Sequence, residues 1–297
     1  KEGVDRACLA VEMRLSKTGR KLSHRFMRAM MRSAAKLSYG AAQDIIDGGA
    51  AERHVGDVVR TLHDAFRARW SERSKRAPLD LDLPERRIIL DQDGRVARVE
   101  RRERFDAHRL IEEFMILANI AAAEMLEERR VERIYRVHAA PDPEKLDAAR
   151  DYLASLGYRL VHPALLPAFP GLRAQRQAVY STENLGHFGL NIPRYAHFTS
   201  PIRRYADLTV HRGLVRALKL GKGGQTDDEA ARLPKVAEAI SDLERRAMAA
   251  ERESADRYLA AYLEGRIGAE FEGRIRGGMR FGLFVTLDET GADGFKP

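Results

Sequence analysis

The most chemically informative part of the chain is the segment His197–Arg212, which reads HFTSPIRRYADLTVHR. It places two adjacent arginines, Arg203 and Arg204, just after a Ser-Pro pair and among hydroxyl and imidazole side chains. Serine is favoured as a helix N-cap and proline at the first helical position. The sequence therefore predicts a helix that is capped by Ser200, begins at Pro201 and carries both arginines in its first turn.

Two arginines at that position predict an anionic partner. Their charges would oppose the positive end of the helix dipole, so a negative group is expected to offset them. A phosphate is one candidate, because the guanidinium fork matches two phosphate oxygens. Carboxylates elsewhere in the protein are the other candidate, and the two arginines alone do not decide between them.

Charge and length set broad limits on function. The chain has 297 residues, with 52 Lys+Arg against 44 Asp+Glu and a formal net charge of +8. This length can form one large domain and a small one. A basic balance of this size favours nucleic acid only weakly, because many proteins are basic for other reasons.

The rest of the composition excludes several protein classes. A single cysteine, Cys8, excludes an internal disulfide framework and a Cys-based zinc site, and it fits a reducing compartment. No apolar run has the length needed to cross a bilayer, and no signal peptide opens the chain. We therefore expect a cytoplasmic monomer with no membrane or disulfide partner. Strand-like patterns run into both ends, so we also expect an excerpt of a longer protein.

Periodicity predicts a mixed α+β chain. The predicted strands pair as two hairpins, and a further strand alternates through Leu79, Leu81 and Leu83. The hairpins are Ala7–Leu15 with Leu22–Met31, and Arg87–Leu90 with Arg95–Val99. The predicted helices follow Ser38 as far as Gly48-Gly49, cover Val55–Trp70 and Asp106–Arg130, run from Asp142-Pro143 to Gly157, and cover Ile202–Leu220 and Val236–Leu263. An irregular stretch, Asn184–Ser200, and a linker at Gly221–Gly224 complete the pattern.

After Gly265 the sequence pattern changes to short predicted strands and glycines. This pattern is typical of the first strands of an S1-type OB-fold barrel. We expect residues 1–265 to form one domain and residues 266–297 to be the truncated start of the barrel. Such barrels stack bases on exposed aromatic rings. Phe281, beside glycine and arginine, is the best candidate for stacking.

Several blocks, in order, resemble the RNase II/RNase R (RNB) family of processive 3′→5′ exoribonucleases, and the S1-like tail favours its ribonuclease R branch. The long signature His197–Arg212 carries most of this resemblance. The other blocks are Val4–Arg6, Ser33–Tyr39, Ile111–Asn119, Tyr135–His138, His187–Leu190 and Glu244–Glu253. The resemblance implies an RNB catalytic domain in which single-stranded RNA enters a channel. Nucleoside monophosphates are released there with the help of magnesium ions held by aspartates.

The resemblance also implies roles for individual residues. Arg203 would grip the phosphate near the scissile bond. Tyr39 would contact the terminal nucleotides, although a tyrosine packed beside Leu37 is the simpler structural alternative. Glu112 and Glu251 would bond ribose hydroxyls, which distinguish RNA from DNA. The remaining signature residues expected to contact RNA are Ser200, Arg204 and Tyr205. His197 and His187 are more often structural than metal-binding, and His211 is expected to bond within the fold.

Two departures limit the expected activity. The family's aspartate cluster lies upstream of the block matching Val4–Arg6, so we expect no metal site in this chain and no RNA hydrolysis by it alone. Asp80 and Asp82 do not match that cluster, and Leu81 stands where an RNA-stacking aromatic can occur. The alternative is a non-catalytic RNA-binding protein that keeps the fold without the metal cluster. A purely structural scaffold is a third possibility, but it leaves both Arg203-Arg204 and the S1-like tail unexplained.

Overall fold

The computed structural model describes residues 2–75, 85–155 and 176–297. The strands and helices mix along the chain, which confirms the α+β class. The strands are β1 (Asp5–Leu15), β2 (Lys21–Arg32), β3 (Arg86–Leu90), β4 (Val96–Arg101), β5 (Tyr135–Val137), β6 (Val179–Ser181), β7 (Gly273–Met279), β8 (Gly282–Leu287) and β9 (Asp293–Lys296). The helices are α1 (Tyr39–Ile46), α2 (Arg53–Ser74), α3 (Asp106–Glu128), α4 (Pro143–Ser155), α5 (Tyr205–Ala217) and α6 (Asp227–Glu264).

The chain divides into two compact units. The first consists of Lys1–Leu79, Arg104–Ala140 and Arg176–Ser241, and the second of Asp80–Glu103, Pro141–Gln175 and Asp242–Pro297. The domain boundary that the sequence predicts at residue 265 does not coincide with the division into these two units, and it stays a prediction.

In the first unit, β1 and β2 form the predicted antiparallel hairpin, whose turn packs on α2. Gly19 in that turn has φ +81°. A Cβ at Gly19 would lie 2.4 Å from the backbone of Ala68, so only glycine allows this approach. The following helix, α1, begins as predicted, because the Ser38 hydroxyl accepts from the Ala41 N–H at 3.1 Å.

The core of the first unit is built around α3. This helix buries a run of small and aliphatic residues, Ala118 to Leu126, against α5 and the β1–β2 hairpin. Gly213 of α5 lies close to α3, because a Cβ there would come within 3.2 Å of the Leu126 side chain. Helices α3 and α5 therefore pack against each other at short range around Gly213.

Helix α6 begins earlier than the sequence pattern predicts. It starts at Asp227 instead of Val236, and Pro234 lies inside it. The physical reason is a capping box: Thr226 Oγ1 accepts from the Glu229 N–H at 3.2 Å, while the Glu229 carboxylate accepts from the Thr226 N–H at 2.8 Å. The predicted strand through Leu81 and the predicted helix end at Gly157 lie outside the described residues.

In the second unit, β3 and β4 form the other predicted hairpin, and β7, β8 and β9 form an antiparallel sheet in that order. The strands β7 and β8 fall where the S1-like pattern predicts strands. Assignment of this sheet to an S1 barrel stays a prediction.

Candidate nucleic-acid interface

The signature segment does not fold as a helix from Pro201. Helix α5 starts at Tyr205, and Arg204 is its N-cap residue with an extended backbone (φ −128°, ψ 119°). Before it lies a turn in which the N–H groups of Arg203 and Arg204 both donate to the Ser200 carbonyl, at 3.2 and 3.1 Å. The predicted start of the helix, and the predicted role of Ser200 as its cap, are therefore wrong.

The acid that offsets the arginines is Asp207, in the first turn of α5. Its carboxylate is completely buried. It accepts from an Arg204 guanidinium nitrogen at 2.8 Å and from the Ser200 N–H at 2.7 Å, and Arg204 Nε lies 2.7 Å from its second oxygen. An acid at this end of a helix is also stabilised by the helix dipole. Of the two partners that the sequence left open, a carboxylate is therefore the one that Arg204 has.

Arg203 is placed differently from its neighbour. Its side chain is exposed, and it forms no ion pair within the part of the chain that the structure describes. The residues beside it are also exposed: Ile202 completely and Tyr205 by 58%. The outer surface of the turn thus combines a guanidinium group without a carboxylate, an aliphatic side chain and an aromatic ring.

The backbone on the other side of the turn is held by α3 and α5. The amide oxygen of Asn119 accepts from the Phe198 N–H at 2.9 Å, and its amide nitrogen donates to Tyr195 Oη at 2.9 Å. His211 Nε2 lies 2.8 Å from the Phe198 carbonyl, and the two rings stack with centroids 4.5 Å apart. The prediction that His211 bonds within the fold is confirmed.

Two histidines that contact Tyr195, the buried His197 and the half-buried His187, are uncharged. His197 Nδ1 lies 3.0 Å from Tyr180 Oη. Burial, followed by the charges of Arg204 and Arg136, lowers the pKa of His197 to about 2. Burial, followed by the nearby His138 and Arg136, lowers the pKa of His187 to about 4. Both imidazoles are therefore neutral hydrogen-bonding groups at neutral pH.

Glu112 lies within electrostatic range of the Tyr195 hydroxyl, to which the Asn119 amide nitrogen donates. Burial raises the pKa of the Tyr195 hydroxyl, the Asn119 hydrogen bond lowers it, and the charges of Arg204, Asp207 and Glu112 act on it as well. The half-exposed Glu112 carboxylate accepts from an Arg104 guanidinium nitrogen at 2.8 Å and lies 3.9 Å from Arg73. Glu112 is thus held by Arg104 and Arg73, and its proximity to the predicted phosphate-binding segment stays a prediction.

Sequence reasoning missed the ion-pair cluster that supports Glu112. The neighbouring Glu113 is completely buried and accepts from Arg69 Nε at 2.8 Å and from Arg73 at 3.0 Å. A signal was available, because Arg69 and Arg73 continue the apolar stripe of α2 beyond Phe66. Charges on a buried stripe predict buried partners.

Tyr39 is the first residue of α1, at a distance in sequence from the other candidates. Its half-exposed ring stacks on His108, with ring centroids 3.9 Å apart and an angle of 18° between the planes. It also lines an apolar cleft of about 420 Å³ together with Leu37, Leu62 and Ile111. The ring is packed on one side, as the structural alternative has it, and it also borders a cleft.

The last two candidates belong to the second unit. Glu251 is an exposed residue of α6. Phe281 lies at the tight turn between β7 and β8, is 65% exposed, and has the Phe295 ring at a centroid distance of 5.7 Å. Both side chains are accessible from solvent.

Across residues 2–75, 85–155 and 176–297, no three His, Cys, Asp or Glu side chains are grouped so that they could hold a metal ion. In the same residues, no helix combines the length and the apolar character of a membrane span.

Comparison with known proteins now identifies the family. The RNB domain profile matches residues 1–220, which is most of the chain. The chain belongs to the RNB domain family. Ribonuclease R of Aquifex aeolicus is 37% identical over 98% of this chain, and the match covers 44% of that protein.

Solved structures agree with the RNB assignment. Mycoplasma genitalium RNase R, in complex with ribose-methylated single-stranded RNA, superposes with a TM-score of 0.90 at 26% identity, covering 99% of this chain and 50% of that one. The pseudonuclease Ssd1 of yeast shares the fold alone, with a TM-score of 0.69 at 18% identity and coverage of 99% of this chain and 39% of that one. The chain spans about half or less of the length of each of these relatives.

Proposed function

We propose that this RNB chain is the RNA-gripping part of a processive 3′→5′ exoribonuclease that degrades single-stranded RNA to nucleoside 5′-monophosphates. The observation that carries the proposal is the contrast between two adjacent arginines. Asp207 neutralises Arg204, whereas Arg203 is exposed and forms no ion pair among the described residues. An exposed guanidinium group without a carboxylate is suited to bind a phosphate through two parallel hydrogen bonds.

The surrounding residues supply complementary contacts. Tyr205 and Ser200 flank Arg203 and contact the RNA strand beside the gripped phosphate. Arg204, which the family resemblance gave as a further RNA contact, supports the turn through its pair with Asp207 instead of binding RNA directly. Glu112, held by Arg104, accepts a hydrogen bond from a ribose hydroxyl. Tyr39 contacts the terminal nucleotides at the mouth of its cleft. In the second unit, Glu251 bonds a further ribose hydroxyl and Phe281 stacks on a base.

The proposed reaction uses Mg²⁺, which polarises the scissile phosphate and activates water in nucleases of this kind. The described residues do not fit such an ion, because they offer no group of carboxylate or imidazole ligands. We therefore propose that this chain binds RNA but does not hydrolyse it alone. We further propose that it acts as a monomer in the cytoplasm, with single-stranded RNA as its partner.

The test is binding of a fluorescein-labelled single-stranded RNA oligonucleotide to the purified chain, measured by anisotropy at several salt concentrations. We expect Arg203→Gln to weaken binding about tenfold and to reduce the slope of log affinity against log salt by about one, since one phosphate contact is lost. Arg203→Lys keeps the charge but loses the guanidinium fork. Its affinity for RNA should therefore lie between those of the unchanged protein and Arg203→Gln. Arg53→Gln, at another exposed arginine of the first unit, is the matched control. An effect of Arg203→Gln no larger than that of Arg53→Gln would refute the proposal.

The second candidate function is a non-catalytic RNA-binding protein with the same fold. The likeness to the pseudonuclease Ssd1 shows that the fold alone does not decide between the two. Incubating 3′-labelled RNA with Mg²⁺ and the full-length protein that contains this chain separates them. Release of mononucleotides supports the exoribonuclease, and binding without release supports the alternative. Mg²⁺-dependent release by the present chain alone would contradict its proposed inactivity.

A further inference from the structure

The turn that carries Arg203 is held at two residues on its N-terminal side. The N–H and C=O of Phe198 are taken by Asn119 and His211, and the N–H of Ser200 is taken by Asp207. The Ser200 carbonyl accepts from the N–H groups of Arg203 and Arg204 within the turn itself. The backbone leading to Arg203 is therefore fixed by side chains of α3 and α5.

Asp207 makes two contacts that bear on the position of Arg203. One of its oxygens accepts from both the Ser200 N–H and the Arg204 guanidinium, so one carboxylate fixes the residues on both sides of Arg203. It is also completely buried, which removes competition from water and strengthens both contacts. Without this carboxylate, Arg204 would lose its counter-charge and the Ser200 N–H would lose its partner on α5.

We propose that Asp207 is a positioning residue for RNA binding: it keeps Arg204 away from the ligand and fixes the Ser200 backbone, so that Arg203 alone faces the phosphate. This inference rests on the proposed function. It assigns different tasks to two identical neighbouring side chains, one as ligand and the other as part of the frame. Asp207 touches no RNA in this arrangement and acts only through Arg203.

A double-mutant cycle in RNA binding tests the proposal. Asp207→Asn keeps the shape of the side chain but removes its charge. We expect it to weaken binding about fivefold to tenfold in the otherwise unchanged protein, and less than about twofold when Arg203 is already Gln. A merely structural role would reduce binding by the same factor in both backgrounds, and that result would overturn the proposal. Affinities are corrected for the folded fraction measured by circular dichroism.

Two controls keep the outcome decisive. Glu229→Gln removes a carboxylate of α6 that pairs with Arg212, a residue of the same helix as Asp207. This substitution should show no coupling to Arg203. If Asp207→Asn does not fold, Asp207→Asn with Arg204→Gln removes both buried charges together, which is far less costly than removing one, and enters the same cycle.

Failure of the proposed function is distinguishable from failure of this inference. If Arg203→Gln alone has no effect, the proposed function fails and Asp207 has nothing to position. If Arg203→Gln weakens binding but the cycle is additive, only the positioning role fails. Amide hydrogen exchange of Ser200 in the RNA-free protein tests the geometry separately. We expect protection that Asp207→Ala abolishes, and rapid exchange in the unchanged protein would overturn the inference.

Discussion

The buried ion-pair cluster of Arg69, Glu113 and Arg73 predicts a large stability effect from a small chemical change. Glu113→Gln replaces one carboxylate oxygen by an NH2 group, which removes the negative charge and alters the volume of the side chain very little. The carboxylate is completely buried, both arginines are 5% exposed, and the two hydrogen bonds measure 2.8 and 3.0 Å. The substitution therefore leaves the buried Arg69 without its counter-charge and leaves Arg73 with only the more distant Glu112, at 3.9 Å.

The magnitude follows from what removing one partner of a buried ion pair costs, about 3 to 5 kcal/mol. An exposed pair gives a contrasting value. Glu12 and Arg25 lie 2.8 Å apart on β1 and β2, but both are exposed, so Glu12→Gln should cost less than about 1 kcal/mol. With a urea dependence of about 2 to 3 kcal/mol per molar, Glu113→Gln should lower the unfolding midpoint by about 1 to 2 M.

The chain contains its own reporter for this experiment. Trp70 is the only tryptophan, and the Arg73 guanidinium lies 5.3 Å from its ring centroid. Tryptophan fluorescence in urea therefore follows the unfolding of α2, where the cluster lies. A midpoint for Glu113→Gln that matches the Glu12→Gln control would refute the reasoning, because it would mean that these arginines need no buried counter-charge.

Two other predictions concern stability. The pKa of His187 is lowered to about 4 and that of His197 to about 2, so the unfolded chain takes up protons below about pH 6.5 that the folded protein refuses. The free energy of unfolding should therefore fall as pH drops from about 6.5 to 4. His197→Gln should flatten this dependence in urea midpoints measured across that range, and an unaltered slope would contradict it. Thr226→Ala removes the capping hydroxyl of α6 and should cost about 1 kcal/mol of unfolding free energy, whereas Thr61→Ala, at an exposed position inside α2, is the control and should cost less.

The sequence predicted most of the regular elements because their signals are local. Ser38 caps α1 through its own hydroxyl, and the apolar stripe of α3 is unbroken, so neighbouring residues specify both helices. The start of α5 was not predictable in this way. The Ser200-Pro201 pair has the composition of a helix start, but the Ser200 N–H is taken by a side chain seven residues later. A side-chain contact seven residues along the chain thus overrides the local preference for a helix start at Ser200-Pro201.

The candidate site was predicted in its residue types and only partly in its arrangement. Arg203 and Arg204 are equivalent in sequence, and only the burial of Asp207 distinguishes them. Glu113 illustrates the opposite case, since its neighbour Glu112 drew attention through the family resemblance while the buried partner went unnoticed. Adjacent residues of a helix point in different directions. The sequence therefore predicts which of two neighbouring charges is buried only if the buried face of the helix is known to within one residue.

The contacts that hold the Arg203 turn also determine when it can form during folding. Asn119 and Phe198 are 79 residues apart in sequence, and closing a loop of that length costs about 4 kcal/mol of chain entropy. The β1–β2 hairpin closes over a short turn at a much smaller entropic cost. The hairpin can therefore form early, whereas the fixed turn exists only after α3 and α5 have packed. A partly folded chain displays the same arginines without their geometry, so the proposed binding of a phosphate by Arg203 requires the completed fold.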